Sequence, residues 1–331
     1  MSSGSTSARL ELDGREIVLS TGESVLEALE RSRVDVPSGC RSGTCKKCLI
    51  QSEGEVPPRA QAGLRPQLAS RGFFLACQAR PTTGAFRILN ANGPTPVNTL
   101  VERCELIGSD VLRLFLRLEG RFEYRPGQYL DVLHPSGESR SYSIASLPVE
   151  GALELHVRRI PNGLVSGWLC QLDEGARVRV RGPFGQCFHI ADDPRRKLLL
   201  VGAGTGLAPL LGIAKDALHQ GHEGAIDLIH GGVEPKRLYL RDELQALADR
   251  WPQLRIHYCV LKNATSREHQ GTLEDAAVRL AGSLESVRAF LCGDSSIVQR
   301  LQRSLFLAGV PSAEIFADPF SPGSSSSIRV T

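Results

Sequence analysis

The sequence predicts a multidomain protein built from a small α+β unit, an antiparallel β-barrel and a doubly wound α/β domain with a parallel sheet. Four of the nine cysteines lie in the first quarter of the chain, within the mixed helix and strand unit. Short strands then recur at close, even spacing from 98 to about 190, as they do in barrels. From 197 onward strands and helices alternate, which is typical of a doubly wound sheet.

The bulk composition is that of an ordinary globular protein. Apolar residues make up 41% of the chain and charged residues 23%, with a formal net charge of +3, which excludes a disordered or nucleic-acid-coating chain. The longest apolar stretch, from Leu198 to Ala214, is interrupted by glycines and a proline. We therefore expect a cytoplasmic monomer that binds neither membrane nor nucleic acid.

The first predicted domain spans 5–93. Alternating apolar residues flank Asp13-Gly14, a two-residue hairpin signal. Ser20 and Glu23 have capping-box spacing and predict the start of a helix that ends near Arg33. The Asn-, Pro- and Gly-rich stretch 90–98 predicts the linker to the second domain.

The cysteine spacing is the strongest chemical signal in this domain. Cys40, Cys45, Cys48 and the distant Cys77 follow the CxxxxCxxC pattern of a plant-type 2Fe–2S site. Gly39 and Gly43 predict close approach of backbone amides to the cluster sulfides. The main alternative is structural zinc, whose usual signature of two CxxC or CxxH pairs this chain lacks.

The second predicted domain spans 97–191. In VLRLFLRL, residues 111–118, the leucines fall on one face and the arginines on the other. The strand RSYS holds Arg140, Ser141, Tyr142 and Ser143, which offer a cation for a flavin pyrophosphate, an aromatic ring and a hydrogen-bond partner for N5. A plain surface strand is the alternative for so short a motif.

Two later segments extend the candidate flavin site. His156, Val157 and Arg158 lie in a further strand, and a helix then begins at a glycine, where free amides suit a phosphate. The residues of that helix start are Gly163, Leu164, Val165 and Ser166.

The third predicted domain spans 195–321. Gly204, Thr205 and Gly206 follow a predicted strand in a turn suited to a dinucleotide pyrophosphate. The turn departs from GxGxxG because Leu207 fills the sixth position, which disfavours an ordinary Rossmann enzyme.

Other residues of this domain complete the candidate coenzyme site. Cys292, Gly293 and Asp294 end the fourth predicted strand, where parallel sheets bind ligands; a buried structural cysteine is the alternative for Cys292. Lys236 and Arg267 follow the second and third strands and could clamp a 2′-phosphate. The alternative, which we favour slightly, is that both side chains are solvated loop charges. We therefore expect NADH rather than NADPH.

These motifs resemble known families in chain order. The segment CRSGTCKKC with Cys77 resembles plant-type ferredoxins, although Lys46 stands where many relatives have Gly. RxYS, the Gly163-to-Ser166 segment, GTGLAP and Cys-Gly-Asp are similar to the ferredoxin–NADP reductase superfamily. The three together resemble the reductase components of bacterial aromatic-ring and other multicomponent oxygenases, with a β-grasp ferredoxin domain.

The resemblance implies roles for the motif residues. FAD is the implied flavin, with Arg140 on its phosphate, Tyr142 along the isoalloxazine and ribityl, and Ser143 at N5. Cys292 would line the hydride path, and Phe320 would be the C-terminal aromatic near the flavin, while Phe316 could be the core residue. The remaining pocket residues so implied are His156, Val157, Gly163, Leu164, Val165 and Ser166.

The expected function is transfer of electrons from NAD(P)H to a terminal oxygenase. A nicotinamide releases two electrons as a hydride and an iron–sulfur cluster accepts one, so a flavin must stand between them. The same chemistry serving a deoxysugar dehydratase is one alternative. A non-catalytic redox-sensing or electron-storage module is another.

Overall fold

The computed structural model describes residues 8–54, 56–91, 93–282 and 286–320. Contacts between residues divide the chain into two compact units, Met1–Thr95 and Pro96–Thr331. Unit 1 contains the predicted ferredoxin-like domain, whereas unit 2 contains both the predicted barrel and the predicted nucleotide domain.

Unit 1 is a five-stranded sheet with order β2-β1-β5-β3-β4, packed against one main helix. β1 and β5 are parallel, and the other pairs are antiparallel. The elements are β1 (Arg9–Leu12), β2 (Arg15–Val18), α1 (Val25–Arg31), β3 (Leu49–Glu53), α2 (Pro66–Ala69), β4 (Phe73–Leu75) and β5 (Ala85–Asn90).

Local sequence explains the start of this fold. Asp13 and Gly14 both take positive φ, at 50° and 74°, as the predicted two-residue turn requires. The capping box of α1 is formed by Ser24 and Glu27, one turn after the expected Ser20 and Glu23. The expectation for Ser20 and Glu23 was wrong because they have the right spacing but stand in the turn before the helix.

The first half of unit 2 is a six-stranded antiparallel sheet with order β10-β7-β6-β11-β8-β9. A bridge between Ile144, just after β9, and Leu155 in β10 joins its two edges, so the sheet closes as predicted. Its elements are β6 (Val97–Ile107), β7 (Val111–Leu118), β8 (Tyr129–Leu133), β9 (Ser139–Ser143), β10 (Ala152–Arg158), α3 (Leu164–Leu169) and β11 (Arg177–Phe184).

The second half of unit 2 is a parallel sheet with order β15-β14-β13-β12-β16-β17. Its elements are β12 (Lys197–Ala203), α4 (Leu207–His219), β13 (Ile226–Gly232), α5 (Arg241–Arg250), β14 (Leu254–Val260), β15 (His269–Gln270), α6 (Leu273–Ala281), β16 (Val287–Asp294), α7 (Ser295–Ala308) and β17 (Ile315–Phe320). The chain runs outward from β12 to β15 and then returns to β16 on the other side of β12. The carboxyl ends of β12 and β16 therefore form a topological switch point, where such sheets bind ligands.

Among the described residues, no helix has both the length and the apolar character needed to cross a bilayer.

Buried histidines make the stability of unit 2 sensitive to acid. Burial lowers the pKa of His189 to about 4 and that of His230 to about 3. An unfolded histidine takes up a proton near pH 6.5, but these two resist protonation in the folded protein, so stability is lost as pH falls from about 6.5 towards 4. At pH 5 the loss is about 2 kcal/mol for each such group.

We predict that the melting temperature of the domain carrying His189 falls by several degrees between pH 7 and pH 5, and that His189→Leu reduces this fall. Calorimetry of the full chain measures it. His219→Leu, at an exposed position, is the control and should keep the parent pH dependence. An unchanged pH dependence in His189→Leu contradicts the assignment.

Candidate functional site

The four motif cysteines of unit 1 meet beside the β3–β4 pair. Cys48 directly precedes β3 and Cys77 follows β4 by two residues, and these strand ends are neighbours because Leu49 pairs with Leu75. Cys48 and Cys77 are buried, whereas Cys40 and Cys45 are partly exposed. The loop thus places two sulfurs inside the unit and two nearer its surface.

The sulfurs form two pairs, Cys40 with Cys45 and Cys48 with Cys77. A hydrogen bond from Cys45 lowers the pKa of Cys40 to about 4, and one from Cys48 lowers the pKa of Cys77 to about 6. The same bonds, together with burial, raise the pKa of Cys45 and Cys48.

This arrangement fits two irons better than a single metal ion. In the described part of the chain, no three or more Cys, His, Asp or Glu side chains are grouped so that they could hold one metal ion. A structural zinc site needs four ligands about one centre. Two thiol pairs instead suit the two irons of a four-cysteine 2Fe–2S cluster. The donor set therefore fits the predicted cluster and disfavours zinc.

The backbone of the loop supplies amides to the sulfurs. The amides of Cys45 and Ser42 lie 3.3 Å and 3.4 Å from Cys40 Sγ. Gly43 takes a φ of +80°, and a Cβ there would lie 2.9 Å from Gln78 Cγ. Gln78 Nε2 in turn donates to Cys77 Sγ at 3.4 Å. Amide donors of this kind stabilise thiolate ligands.

In unit 2, β9 presents the predicted flavin residues on two faces. Arg140 and Tyr142 share one face by alternation, and Ser141 and Ser143 share the other. Arg140 Nη2 lies 3.2 Å from a carboxylate oxygen of Glu138, with both side chains about one-third exposed. Its guanidinium is thus accessible to a phosphate. Ser141 instead donates to Asp131 at 2.9 Å, away from Arg140.

The strand β10 places His156 in a buried polar network. Its Nδ1 lies 2.9 Å from the Tyr239 hydroxyl and its Nε2 lies 3.0 Å from the Glu154 carboxylate. Burial opposes the charge of Glu154, but hydrogen bonds from His156 and Arg113 lower its pKa to about 2. Val157 is fully buried in the barrel core. The side chains of His156 and Val157 are therefore engaged within the protein.

Arg158 reaches from the barrel to the glycine turn of the parallel sheet. Gly204 has a φ of +54°, and a Cβ there would lie 3.2 Å from Arg158 Nη2. The Arg158 guanidinium is 3.7 Å from an Asp110 carboxylate oxygen and nearly half exposed. A cation from one domain thus lies over the turn of the other.

The start of α3 forms a tight turn. Gly163 is its N-cap, and a Cβ at this position would lie 2.6 Å from Ser166 Oγ. The Ser166 hydroxyl accepts from the Ile160 amide at 3.2 Å, so it closes the turn. Val165 is buried, and Leu164 is about half exposed beside the helix start.

The glycine turn after β12 packs directly on β16. Gly204, Thr205 and Gly206 form one turn of 3₁₀ helix that leads into α4. A Cβ at Gly206 would lie 2.3 Å from the Cys292 carbonyl oxygen, so any side chain there would collide with backbone. The predicted coenzyme turn and the Cys-Gly-Asp segment are thus adjacent.

Ser143 of the barrel meets Asp318 and Cys292 at the switch point. Ser143 Oγ donates to Asp318 Oδ2 at 3.3 Å, and Asp318 is Cys292's partner across the β16–β17 pair. Cys292 is fully buried, and its sulfur lies 3.8 Å from that of Cys187. Burial, with the hydrogen bond to Cys187, raises the pKa of the Cys292 thiol well above its usual value. Cys292 is therefore a neutral thiol.

The end of β17 separates two aromatic residues. Phe316 stacks on Phe290 in the core at 5.4 Å between ring centroids, whereas Phe320 is partly exposed and pairs with Asp294 at the carboxyl edge. Gly293, with a φ of +134°, precedes Asp294, which caps α7. Phe320 thus lies at the edge where the coenzyme turn is found.

The charges considered for a 2′-phosphate follow β13 and β14. Lys236 is mostly exposed and lies 2.9 Å from Glu234, which also holds Lys262 at 3.2 Å. Arg267 lies in an exposed loop before β15. An acidic side chain therefore stands among the cations at this end of the sheet.

Sequence reasoning missed three residues of this region: Asp318, Cys187 and Glu234. Asp318 carried one local signal, since it is an acidic residue near the carboxyl end of an otherwise apolar strand, IFADPF. Cys187 and Glu234 stand in loops without a motif. Cys187 contacts Cys292 from a distant part of the chain, whereas Glu234 contacts the nearby Lys236 as well as Lys262.

Fold and site together define a flavin and iron–sulfur oxidoreductase that uses a nicotinamide coenzyme. Three family models match the chain in order: a 2Fe-2S iron-sulfur cluster binding domain over residues 10–82, an oxidoreductase FAD-binding domain over 98–189 and an oxidoreductase NAD-binding domain over 200–303. The cofactors are accordingly a 2Fe–2S cluster, FAD and NADH or NADPH.

Relatives match over nearly the whole chain. The reductase component of the naphthalene 1,2-dioxygenase system of Pseudomonas putida, a ferredoxin–NAD(P)(+) reductase, is 30% identical over 95% of this chain and 98% of its own. The aromatic O-demethylase reductase subunit of an Amycolatopsis species is 32% identical, over 95% and 99%. The crystal structure of Amycolatopsis cytochrome P450 reductase GcoB has a TM-score of 0.71 at 31% identity, again over 95% and 99%. This chain belongs to the family of NAD(P)H-dependent reductase components of oxygenase systems.

Proposed function

We propose that this chain takes a hydride from its coenzyme at the switch point of unit 2 and delivers single electrons from the four-cysteine site of unit 1 to a terminal oxygenase. The observation that carries the proposal is the meeting of Ser143 from the barrel with Asp318 and Cys292 of the parallel sheet, next to Gly206. Flavin-binding and coenzyme-binding segments converge there.

Bound FAD supplies the change from a two-electron to a one-electron process, which allows a nicotinamide to serve a 2Fe–2S cluster. The chain's residues position the two molecules. Arg140 offers a charge-assisted contact to the flavin pyrophosphate, with Tyr142 on the same face. Ser143, whose hydroxyl donates to Asp318, stands at the end of that strand and would lie beside the flavin ring.

The coenzyme pyrophosphate is assigned to the turn at Gly204, Thr205 and Gly206. Arg158 was expected at the flavin, but its guanidinium lies over Gly204, so we assign it to the coenzyme pyrophosphate as well. The thiol of Cys292 is buried and neutral and borders the same edge without adding charge. Phe320 is proposed as the aromatic that covers this edge.

The partner is proposed to be a terminal oxygenase acting on an aromatic compound. The relatives named above serve a dioxygenase and a demethylase system of aromatic substrates, which supports an oxygenase over a deoxysugar dehydratase as acceptor. A monomer working in the cytoplasm, with domains at 5–93, 97–191 and 195–321, completes the proposal. Nine free cysteines suit a reducing compartment.

NADH is the proposed coenzyme, and Glu234 is the residue that favours it. A carboxylate at the end of the second strand can bond a ribose 2′-hydroxyl but repels a 2′-phosphate. Lys236 and Lys262 could hold that phosphate, but both form ion pairs with Glu234 instead.

We predict that kcat/KM for NADH exceeds that for NADPH in the parent and that Glu234→Ala narrows this ratio, because the change removes the carboxylate that repels a 2′-phosphate. Steady-state ferricyanide reduction with each coenzyme measures it. Arg267→Ala is the matched control and should leave the ratio unchanged. A parent preference for NADPH that disappears in Arg267→Ala would contradict the assignment and restore Arg267 to the phosphate.

The cluster is predicted to be the exit for single electrons. Cys48→Ser removes one thiolate and should leave the cluster absent or labile, while the flavin and coenzyme sites of unit 2 remain folded. Ferricyanide reduction by NADH, which draws on the flavin, should stay near the parent rate. Reduction of cytochrome c, or turnover with the oxygenase, should fall at least tenfold.

The matched control is Cys104→Ser, which changes a cysteine outside the cluster site and should keep both activities. Iron analysis of each variant reports cluster content. If the Cys48→Ser protein lacks iron and still reduces cytochrome c at the parent rate, electrons do not leave through the four cysteines.

A further inference from the structure

Lys46 stands between two cluster cysteines in a conformation that is unfavourable for lysine. It directly follows Cys45 and precedes Lys47, and its φ is +59°. This left-handed region suits glycine and is rare for a residue with a long side chain. The backbone therefore bears strain at a position where glycine would relieve it.

The side chain of Lys46 is held in place beside the loop. Its ammonium lies 3.4 Å from the Ala62 carbonyl oxygen. Gly63 leaves room for it, because a Cβ at that position would lie 3.2 Å from Lys46 Nζ. The side chain is partly buried; burial lowers the pKa of Lys46, and negative charge on the four motif cysteines opposes that shift.

Two other cations near the loop, Arg41 and Arg80, face carboxylates. Arg41 forms an ion pair with Glu30, with oxygen contacts of 2.8 Å and 2.9 Å, and Arg80 is paired with Glu27 at 3.0 Å. The ammonium of Lys46, by contrast, rests on a neutral carbonyl. In that contact, therefore, no carboxylate offsets the positive charge of Lys46.

We propose that Lys46 raises the reduction potential of the 2Fe–2S cluster by holding a fixed positive charge beside its four ligands. The inference rests on the proposed function in one respect, that these cysteines hold the cluster. When one electron enters the cluster, no bond forms or breaks and Lys46 keeps its proton; the negative charge of the cluster increases by one. A nearby partly buried cation stabilises that added charge, and net charge near a cluster is a main determinant of its potential.

The consequence for electron flow is direct. A higher cluster potential makes electron transfer from reduced flavin to the cluster more favourable. It also makes the cluster a weaker reductant of the acceptor. The charge of Lys46 would thus set the fraction of clusters that is reduced before the oxygenase accepts the electron.

The test is a redox titration of the full chain, in which the EPR signal of the reduced cluster is followed against solution potential. Lys46→Gln removes the charge but keeps most of the side chain, and Lys46→Gly also removes the backbone strain. Each should lower the equilibrium constant for cluster reduction about tenfold, which corresponds to 59 mV for one electron. Lys46→Arg keeps the charge and should stay near the parent value.

The matched control is Arg33→Gly. Arg33 is an exposed cation just after α1 with a φ of +62°, so the change removes the same charge and the same kind of strain elsewhere in unit 1. It should leave the potential unchanged. Lys46→Gly also separates the proposal from a structural role, because it should stabilise unit 1 in thermal unfolding while lowering the potential.

Iron content and the EPR signal of the parent report on the proposed function independently. A parent without iron overturns the cluster assignment and this inference together. A parent with a full cluster whose potential equals that of Lys46→Gln and Lys46→Gly overturns the inference alone. A potential that falls equally in Lys46→Arg assigns Lys46 a packing role and also overturns it.

Discussion

The turn after β12 can lie against β16 only because Gly206 has no side chain. A Cβ there would stand 2.3 Å from the backbone oxygen of Cys292, and one at Gly202 would stand 3.0 Å from the same oxygen. A single methyl group would therefore separate the coenzyme turn from the strand that ends at the switch point. The glycine turn after β12, the Cys292 thiol and the start of α4 are neighbours in unit 2 because of this close approach.

Polar contacts then fix the barrel against the parallel sheet around that approach. Ser143 bonds to Asp318, and His156 bonds to Tyr239. Each contact joins a barrel strand to a residue of the nucleotide domain, and their partners are buried, where an unmatched polar group is costly. These bonds hold β9 and β10 against the nucleotide domain beside the proposed flavin and coenzyme sites. Changes at these positions are thus expected to affect both stability and hydride transfer.

Local sequence patterns predicted most strands and helices, because each depends on residues close in the chain. Alternating leucines predicted β7, and two-residue hairpin chemistry predicted the turn at Asp13 and Gly14. The capping box was placed one turn early, since Ser20 and Ser24 offer equal local signals and tertiary packing selects the second.

The rest of the candidate site depends on contacts between distant segments. Ser143 and Asp318 are 175 residues apart, and the position of Arg158 over Gly204 requires both domains of unit 2 to be in place. No periodicity or spacing encodes such a contact. The left-handed conformation of Lys46 is likewise not predicted by the sequence, in which Lys46 and Lys47 together separate Cys45 from Cys48.

The central claim is that electrons reach the cluster only by way of the flavin. The most direct measurement is anaerobic rapid mixing of NADH with full-length protein depleted of FAD but retaining its cluster, followed by absorbance of the cluster. The account predicts no cluster reduction on the time scale of turnover and recovery of reduction when FAD is restored. Reduction of the cluster by NADH in the FAD-depleted protein, at the rate of the complete protein, would contradict it.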